Sequence, residues 1–331
     1  MRTTTLGRGG PEVSQLGLGL MGMSGSYGPA DEKESIETIH AALDAGINLL
    51  DTGDFYGMGH NELLIAEALH GRDRDRVVLS VKFGGLRDAG GGFLGFDGRP
   101  AAVKNFLAYS LQRLGTDHVD IYRPARLDPD VPIEETVGAV AECIAAGWVR
   151  HLGLSEVGAD TVRRAHAVHP VADVQLEYSL MSRSLETKVL PTTRELGIAT
   201  TAYGALSRGL LSGHWSSGRT LAPGDFRAHA PRFAPGNVAA NLALVDALGR
   251  VAADLDATVA EVAIAWVASR GDDIVPVIGA RTPAQLDGVL RAAALSLDAG
   301  QLAAIEAAVP PDAVAGDRYG APQMAGLDSE R

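Results

Sequence analysis

The sequence predicts a (β/α)₈ TIM barrel with an N-terminal β-hairpin and a long loop after the seventh strand, and three observations carry that prediction. Short β-type runs alternate with amphipathic helical stretches along the chain. Eight such runs are present, the number that closes a parallel barrel through right-handed crossovers. No linker-like shift in composition divides the 331 residues, so a single domain over residues 1–331 is expected.

The strand candidates are 13–20, 47–52, 77–83, 118–125, 149–156, 172–179, 197–204 and 273–280. Between them lie helical patterns such as "DEKESIETIHAALDAG", "NELLIAEALHG", "PAAVKNFLAYSLQRLG" and "IEETVGAVAECIAAG". Several end in glycine, as helix C-termini often do. The start, "TTTLGRGGPEVSQL", reads as a hairpin placed to plug the bottom of the barrel. The 207–236 segment is rich in Gly, Pro and Arg and too long for a turn, and it falls where barrel enzymes keep functional loops. The tail beyond Pro310 reads as loop.

Composition narrows the function. Hydrophobic residues make up 46% of the chain, enough for a sizeable core. A net charge of −12 argues against nucleic acid or an anionic membrane as partner. No stretch has the length of a membrane span or the form of a signal peptide. The single Cys143 lies in an apolar helical pattern and reads as a core filler suited to a reducing compartment. A cytoplasmic location is therefore expected, with no metal site, and a homo-oligomer is compatible with the sequence.

One motif is set aside. Residues 17–22, "GLGLMG", match the dinucleotide fingerprint G-x-G-x-x-G, in which a helix must open at the glycines to meet a pyrophosphate. Here two more glycines and a proline precede any helical pattern. A glycine-rich loop after strand one is the better reading, with a doubly wound fold as the alternative.

In a barrel, chemistry sits at the C-terminal ends of the strands. Those ends carry Asp51 and Tyr56, then Lys82, Ala125 with Arg126, Ser155 with Glu156, Gln175, Tyr203, and Gly279 through Arg281. Asp51 alone reads equally as a loop cap, and Lys82 alone as its buried partner. Together with Tyr56 they have a chemical use. A tyrosine is a poor acid, with a pKa of about 10. A neighbouring ammonium, pinned by a carboxylate, favours its ionised form and lets it hand a proton to a carbonyl oxygen. Asp54 and Glu62 read as structural.

With these motifs in place, "INLLDTGDFYG", "VVLSVKFG", "SLQRLGTDHVDIYR", "GLSE", "VQLEYSL", "AYGALSRGLLSG" and "PVIGARTPAQL", the chain resembles the aldo-keto reductase superfamily from the first strand to about residue 295. The resemblance implies reduction of an aldehyde or ketone with NADPH by an Asp-Tyr-Lys-His tetrad. Asp51, Tyr56 as general acid and Lys82 match it, but Ala125 stands where the family has histidine. Losing one such donor typically costs on the order of 10²–10³ in rate. Arg123 and Arg126, on either side of Ala125, are candidates for an electrostatic role.

The resemblance also implies the cofactor contacts. Gly22 and Met23 follow the first strand, Asp51 borders the nicotinamide, and Ser155 and Gln175 hold its carboxamide. Tyr203 stacks on the ring, and Glu156 replaces a common asparagine. Gly204, Leu206, Arg208, Gly209 and Leu210 line the pyrophosphate, and Gly279, Arg281 and Gln285 the adenosine end. Thr282 and Pro283 read as a helix start. Arg281 beside that start favours a 2′-phosphate, hence NADPH. Where relatives grip the adenine with Glu-Asn, the chain has Gly288-Val289. Residues 84–100, the 207–236 loop and the tail are expected to carry specificity for a small-molecule carbonyl substrate, with Phe55, Phe93 and Phe96 as candidate pocket walls.

Two rivals follow from the same residues. One is an NADPH-binding sensor with little turnover, which the missing histidine favours and the retained Asp51, Tyr56 and Lys82 oppose. The other is a lyase or isomerase that uses Lys82 as a Schiff base, which borohydride trapping would reveal.

Overall fold

The computed structural model describes residues 1–216, 218–221 and 225–331. Twelve strands and eleven α-helices are found among them. Strands β1 (Thr3–Thr5) and β2 (Glu12–Ser14) form an antiparallel hairpin. The barrel consists of β3 (Gly17–Gly19), β4 (Leu49–Gly53), β5 (Val78–Phe83), β8 (Val119–Pro124), β9 (Val149–Ser155), β10 (Val171–Glu177), β11 (Ala199–Tyr203) and β12 (Ile274–Gly279). All eight neighbouring pairs are parallel, and β12 closes on β3. A second hairpin, β6 (Gly85–Arg87) with β7 (Phe93–Phe96), stands above the end of β5.

A helix follows each barrel strand: α1 (Glu32–Asp44), α2 (His60–Leu69), α3 (Pro100–Leu114), α4 (Ile133–Ala145), α5 (Ala159–Val168), α6 (Val189–Leu196), then α7 (Pro235–Asp254) with α8 (Val259–Ala268), and α9 (Pro283–Ala294). Helices α10 (Ala299–Ala308) and α11 (Ala321–Ala325) lie in the C-terminal segment. Local chemistry accounts for the helix starts that matter to the site. The Asp31 carboxylate accepts from the Glu34 amide at 2.8 Å to cap α1. Thr282 does the same for Gln285 at 3.2 Å, with Pro283 in the first turn of α9.

The expected strand over 13–20 is two strands. Ser14 is held by the side chain of Asn48 at 2.7 Å and donates to the Leu16 carbonyl at 2.6 Å, which turns the chain from the hairpin into the barrel. In the G-x-G-x-x-G match, the first two glycines lie in β3, and Gly22 in the 3₁₀ turn Met21–Ser24. Helix α1 opens only at Glu32, so the doubly wound alternative does not hold. Residues 84–100 contain the paired strands β6 and β7. The tail is not simply loop, since it contains α11 and folds back over the barrel mouth. In the long loop, 3₁₀ turns span Ser207–Ser212, Phe226–His229 and Pro231–Phe233, while residues 217 and 222–224 lie outside the described residues.

The barrel interior is layered. At the bottom, Leu49, Val78, Ile121, Ala199 and Val275 pack against Leu6 and Val13 of the hairpin, a dry plug. Above it the filling becomes polar: Ser80, Arg123, Asp173 and Thr201, then Asp51, Lys82 and Gln175, all buried. Gly153 of β9 makes the middle layer possible. A Cβ there would sit 2.8 Å from Asp173 Oδ1, 2.9 Å from Ile121 Cγ2 and 3.2 Å from Arg123 Nε. Replacing Gly153 by Ala is expected to lower stability by about 1–3 kcal/mol through overpacking. Chemical denaturation would measure this, and an unchanged midpoint would show that the arginine side chain has room to move.

Candidate active site

Strands β4 and β5 pair with Gly53 opposite Lys82, which brings Asp51 and Lys82 into the same upper layer. Lys82 Nζ forms a buried ion pair with Asp51 Oδ1 and also donates to Gln175 Oε1 at 3.1 Å. The other Asp51 oxygen accepts from Gln175 Nε2 at 2.8 Å and Ser80 Oγ at 3.0 Å. Burial alone would raise the Asp51 carboxyl, but Lys82 and Arg123 outweigh it, and its pKa lies below the ordinary value. Lys82 is itself held below the usual ammonium value by burial, which the Asp51 charge offsets only in part.

Tyr56 is carried on the turn between β4 and α2. The Asp54 amide donates to the Lys82 carbonyl at 2.9 Å, fixing the start of that turn. Its end is fixed by the buried Asn61, which accepts from Thr52 Oγ1 at 2.6 Å and donates to the Leu20 carbonyl at 2.9 Å and Ser24 Oγ at 2.8 Å. Tyr56 is thus held with its ring centroid 5.3 Å from Lys82 Nζ. The expectation that the ammonium favours the phenolate is not met here. Burial pushes the Tyr56 phenol well above its ordinary value, Asp51 adds to the push, and Arg126 opposes it. The ammonium is already paired with a carboxylate, so the tyrosine is held neutral.

Ala125 is buried at the end of β8, and the two arginines beside it diverge. Arg123 points into the barrel below the mouth. It pairs with Asp173 (Nη1 to Oδ2, 2.9 Å) and donates to Thr201 Oγ1 at 3.1 Å and Ser80 Oγ at 2.9 Å. Arg126 stays at the mouth, where it donates to the Ala125 carbonyl at 2.6 Å, Ser155 Oγ at 3.4 Å and the Tyr319 hydroxyl at 3.1 Å.

Ser155, Gln175 and Tyr203 gather at the same mouth, but Gln175 is engaged with the Asp51–Lys82 pair. Glu156 has a function of its own. Its buried carboxylate accepts from Arg318 (Nη1 to Oε1, 2.9 Å; Nη2 to Oε2, 2.6 Å), Ser329 Oγ at 2.7 Å, the Tyr203 hydroxyl at 2.9 Å and the Glu177 amide at 2.9 Å. Although burial works against the charge, these partners pull its pKa down to about 2. Glu177 is paired with Arg208 at 2.9 Å, and Arg208 also donates to the Arg318 carbonyl. The Tyr319 and Tyr203 hydroxyls lie 3.1 Å apart. Arg318, Tyr319 and Glu177 were not among the residues singled out from the sequence. The one available signal was an Arg-Tyr pair, "GDRYG", in an otherwise small-residue tail.

The residues expected at a dinucleotide are compatible with one. Gly204 and Gly209 have left-handed backbones (φ +73° and +101°), as have Ser207 and Arg208, giving the tight turn that small residues permit. The side chain of Leu210 is buried in the core and that of Leu206 packs against it, leaving their main chain for a ligand. Arg281 follows β12 and accompanies the N-terminus of α9. Among the described residues its guanidinium donates only to the carbonyls of Tyr27 (3.4 Å) and Pro29 (3.3 Å), and its amide donates to Gln285 Oε1 at 2.8 Å. No carboxylate lies within 4.0 Å of it among the described residues, so the donor set suits a phosphate. Gly22 lets its stem pass, since a Cβ there would be 3.3 Å from Arg281 Cγ. Met23 is buried beneath, and Val289 of α9 is a core residue.

The family model for the "Aldo/keto reductase family" matches residues 15–310. The chain belongs to the aldo/keto reductase family. A "Probable aldo-keto reductase 1" of Glycine max is 39% identical over 315 residues, covering 95% of this chain and 90% of that protein. Among solved structures, a glycerol dehydrogenase of Gluconobacter oxydans matches with a TM-score of 0.83 at 29% identity, over 93% of this chain and 96% of that one. An aldo-keto reductase of Bacillus halodurans in its holo form matches with a TM-score of 0.77 at 28% identity, over 94% and 97%. Aldo-keto reductases are oxidoreductases that act on carbonyl compounds with a nicotinamide cofactor, and this chain has their barrel. No helix among the described residues is long and apolar enough to cross a membrane.

Within the reductase turn, Asp54 is buried, and among the described residues neither carboxyl oxygen has a partner in good hydrogen-bond geometry, although the Gly84 and Phe55 main chain lies near enough to favour its charge. Burial, reinforced by Glu62, raises its pKa to about 7. A raised carboxyl favours the folded state most below its unfolded pKa of about 3.9 and loses that contribution as pH rises through about 7. Thermal stability should therefore decline between about pH 4 and about pH 7, where the folded group keeps a proton that the unfolded one has released. Asp54→Asn should flatten that decline. An equally steep decline in the variant would assign it to other groups.

Proposed function

We propose that this aldo-keto reductase uses NADPH to reduce a small-molecule aldehyde or ketone to the alcohol. The cofactor supplies the hydride. Tyr56 supplies the proton to the carbonyl oxygen, and Lys82 and Asp51 are the fixed charges beside it. The observation that carries this reading is the neutral Tyr56 phenol held over a buried Lys82–Asp51 pair at the mouth of the barrel. Such a phenol is charged with its proton at neutral pH, as a general acid must be.

Ser155 and Gln175 are the proposed polar contacts for the nicotinamide end, with Tyr203 beside them and Gly22 and Met23 across the mouth. The turn from Gly204 to Leu210 is the proposed seat of the pyrophosphate. NADPH is preferred to NADH because Arg281, with no acidic partner within 4.0 Å among the described residues, stands beside the Thr282-capped helix start, where a 2′-phosphate would be stabilised.

Ala125 favours a second reading, an NADPH-binding sensor that turns over little carbonyl. One comparison separates the two. On a reactive aromatic aldehyde, wild type should consume NADPH, and Tyr56→Phe should lose on the order of 10²–10⁴ in kcat while still binding NADPH. If wild type and Ala125→His both bind NADPH and neither consumes it with any aldehyde, the sensor reading replaces the reductase.

A further inference from the structure

Buried or half-buried arginines crowd this end of the barrel, and nearly all are matched by acids. Arg123 pairs with Asp173 at 2.9 Å and Arg208 with Glu177 at 2.9 Å. Arg227 pairs with Asp225 at 2.6 Å, and Arg318 with Glu156 at 2.6 Å. Arg232 lies 3.7 Å from Glu177. Arg126 is an exception, as is Arg281 at the proposed phosphate end. The three partners of Arg126, the Ala125 carbonyl, Ser155 Oγ and the Tyr319 hydroxyl, are all neutral, and no carboxylate lies within 4.0 Å of it among the described residues.

A half-buried guanidinium with only neutral partners is costly unless something anionic completes it. It also has donors to spare, since five N–H groups are available and a planar fork matches a carboxylate. Its place is decided by the neighbours. Ala125, buried at the end of β8, contributes only a methyl group beside it. Ser155 flanks it at the end of β9, and Tyr319 is brought to it by the tail that Glu156 and Arg318 fasten. The carbonyl to be reduced must approach Tyr56 across this same mouth.

We infer that Arg126, with Tyr319, binds a carboxylate of the substrate, so that the preferred substrates are carbonyl compounds that carry an acid group. This rests on the reductase reading of the same site. The missing histidine then has a counterpart in the arginine next to position 125, which holds the acid group while Tyr56 meets the carbonyl.

The test compares wild type with Arg126→Met and Arg126→Lys on 4-carboxybenzaldehyde and benzaldehyde, and titrates each protein with benzoate by calorimetry without cofactor. The ratio of kcat/KM for the acidic over the neutral aldehyde should fall about tenfold to a hundredfold in Arg126→Met and recover in part in Arg126→Lys. Benzoate should bind wild type and not Arg126→Met. An unchanged ratio would overturn the inference, as would equal benzoate binding by both. Weaker NADPH binding with the ratio preserved would also overturn it, by assigning the guanidinium to the cofactor. If wild type reduces neither aldehyde, the reductase reading fails, and the benzoate titration still decides whether Arg126 is a carboxylate site.

Discussion

Two ion pairs stacked inside the barrel, Arg123–Asp173 below and Lys82–Asp51 above, are the constraint on which the rest of the site depends. Four charges without bulk water would be ruinous singly, and each is made tolerable by the others. Ser80 links the layers by donating to Asp51 and accepting from Arg123, while Thr201 and Gln175 take up further donors and acceptors. Closure of the barrel is what brings them together, since the six side chains and Ser80 come from β4, β5, β8, β10 and β11. The upper layer therefore has one arrangement, and Tyr56 meets a fixed pair rather than a mobile lysine. The apolar plug of Leu6 and Val13 keeps the lower end dry.

A second constraint comes from the chain terminus. Glu156, at a backbone position with φ +55°, holds Arg318 and Ser329, and through them fastens the last residues across the ends of β9, β10 and β11. Asp328 adds a bond to the Gly158 amide at 2.7 Å. The mouth is consequently walled in part by residues more than a hundred positions from the strands they cover. Tyr319 reaches both Tyr203 and Arg126 only because the Glu156–Arg318 pair is in place.

Much of this was legible in the sequence, for local reasons. Apolar runs bounded by Gly and Asp marked all eight barrel strands to within a few residues, and the run from Ile47 into Asp51 placed an acid at a strand end. The Thr282-Pro283 start of α9 was readable because capping is local chemistry. What escaped depended on contacts set by closure. Arg123 was readable as a candidate for an electrostatic role, but its partner Asp173 lies on another strand. The pairing of β6 with β7 hides in a glycine-rich stretch. Glu156 looked like a replaced carboxamide contact, when it is the anchor of a tail whose Arg-Tyr pair gave the only hint. The direction of the Tyr56 pKa depended on a sum that spacing does not report: burial against an ammonium already neutralised.

The central claim, that the stacked pairs and Tyr56 serve hydride transfer to a carbonyl, is tested most directly by following the hydrogen itself. NADPH deuterated at the transferable position would be incubated with a reactive aldehyde and the alcohol analysed by mass spectrometry. One deuterium is expected on the carbinol carbon of the product. Alcohol formed without deuterium from either face of the cofactor, or cofactor bound with its label intact and no alcohol formed from any aldehyde, would contradict it.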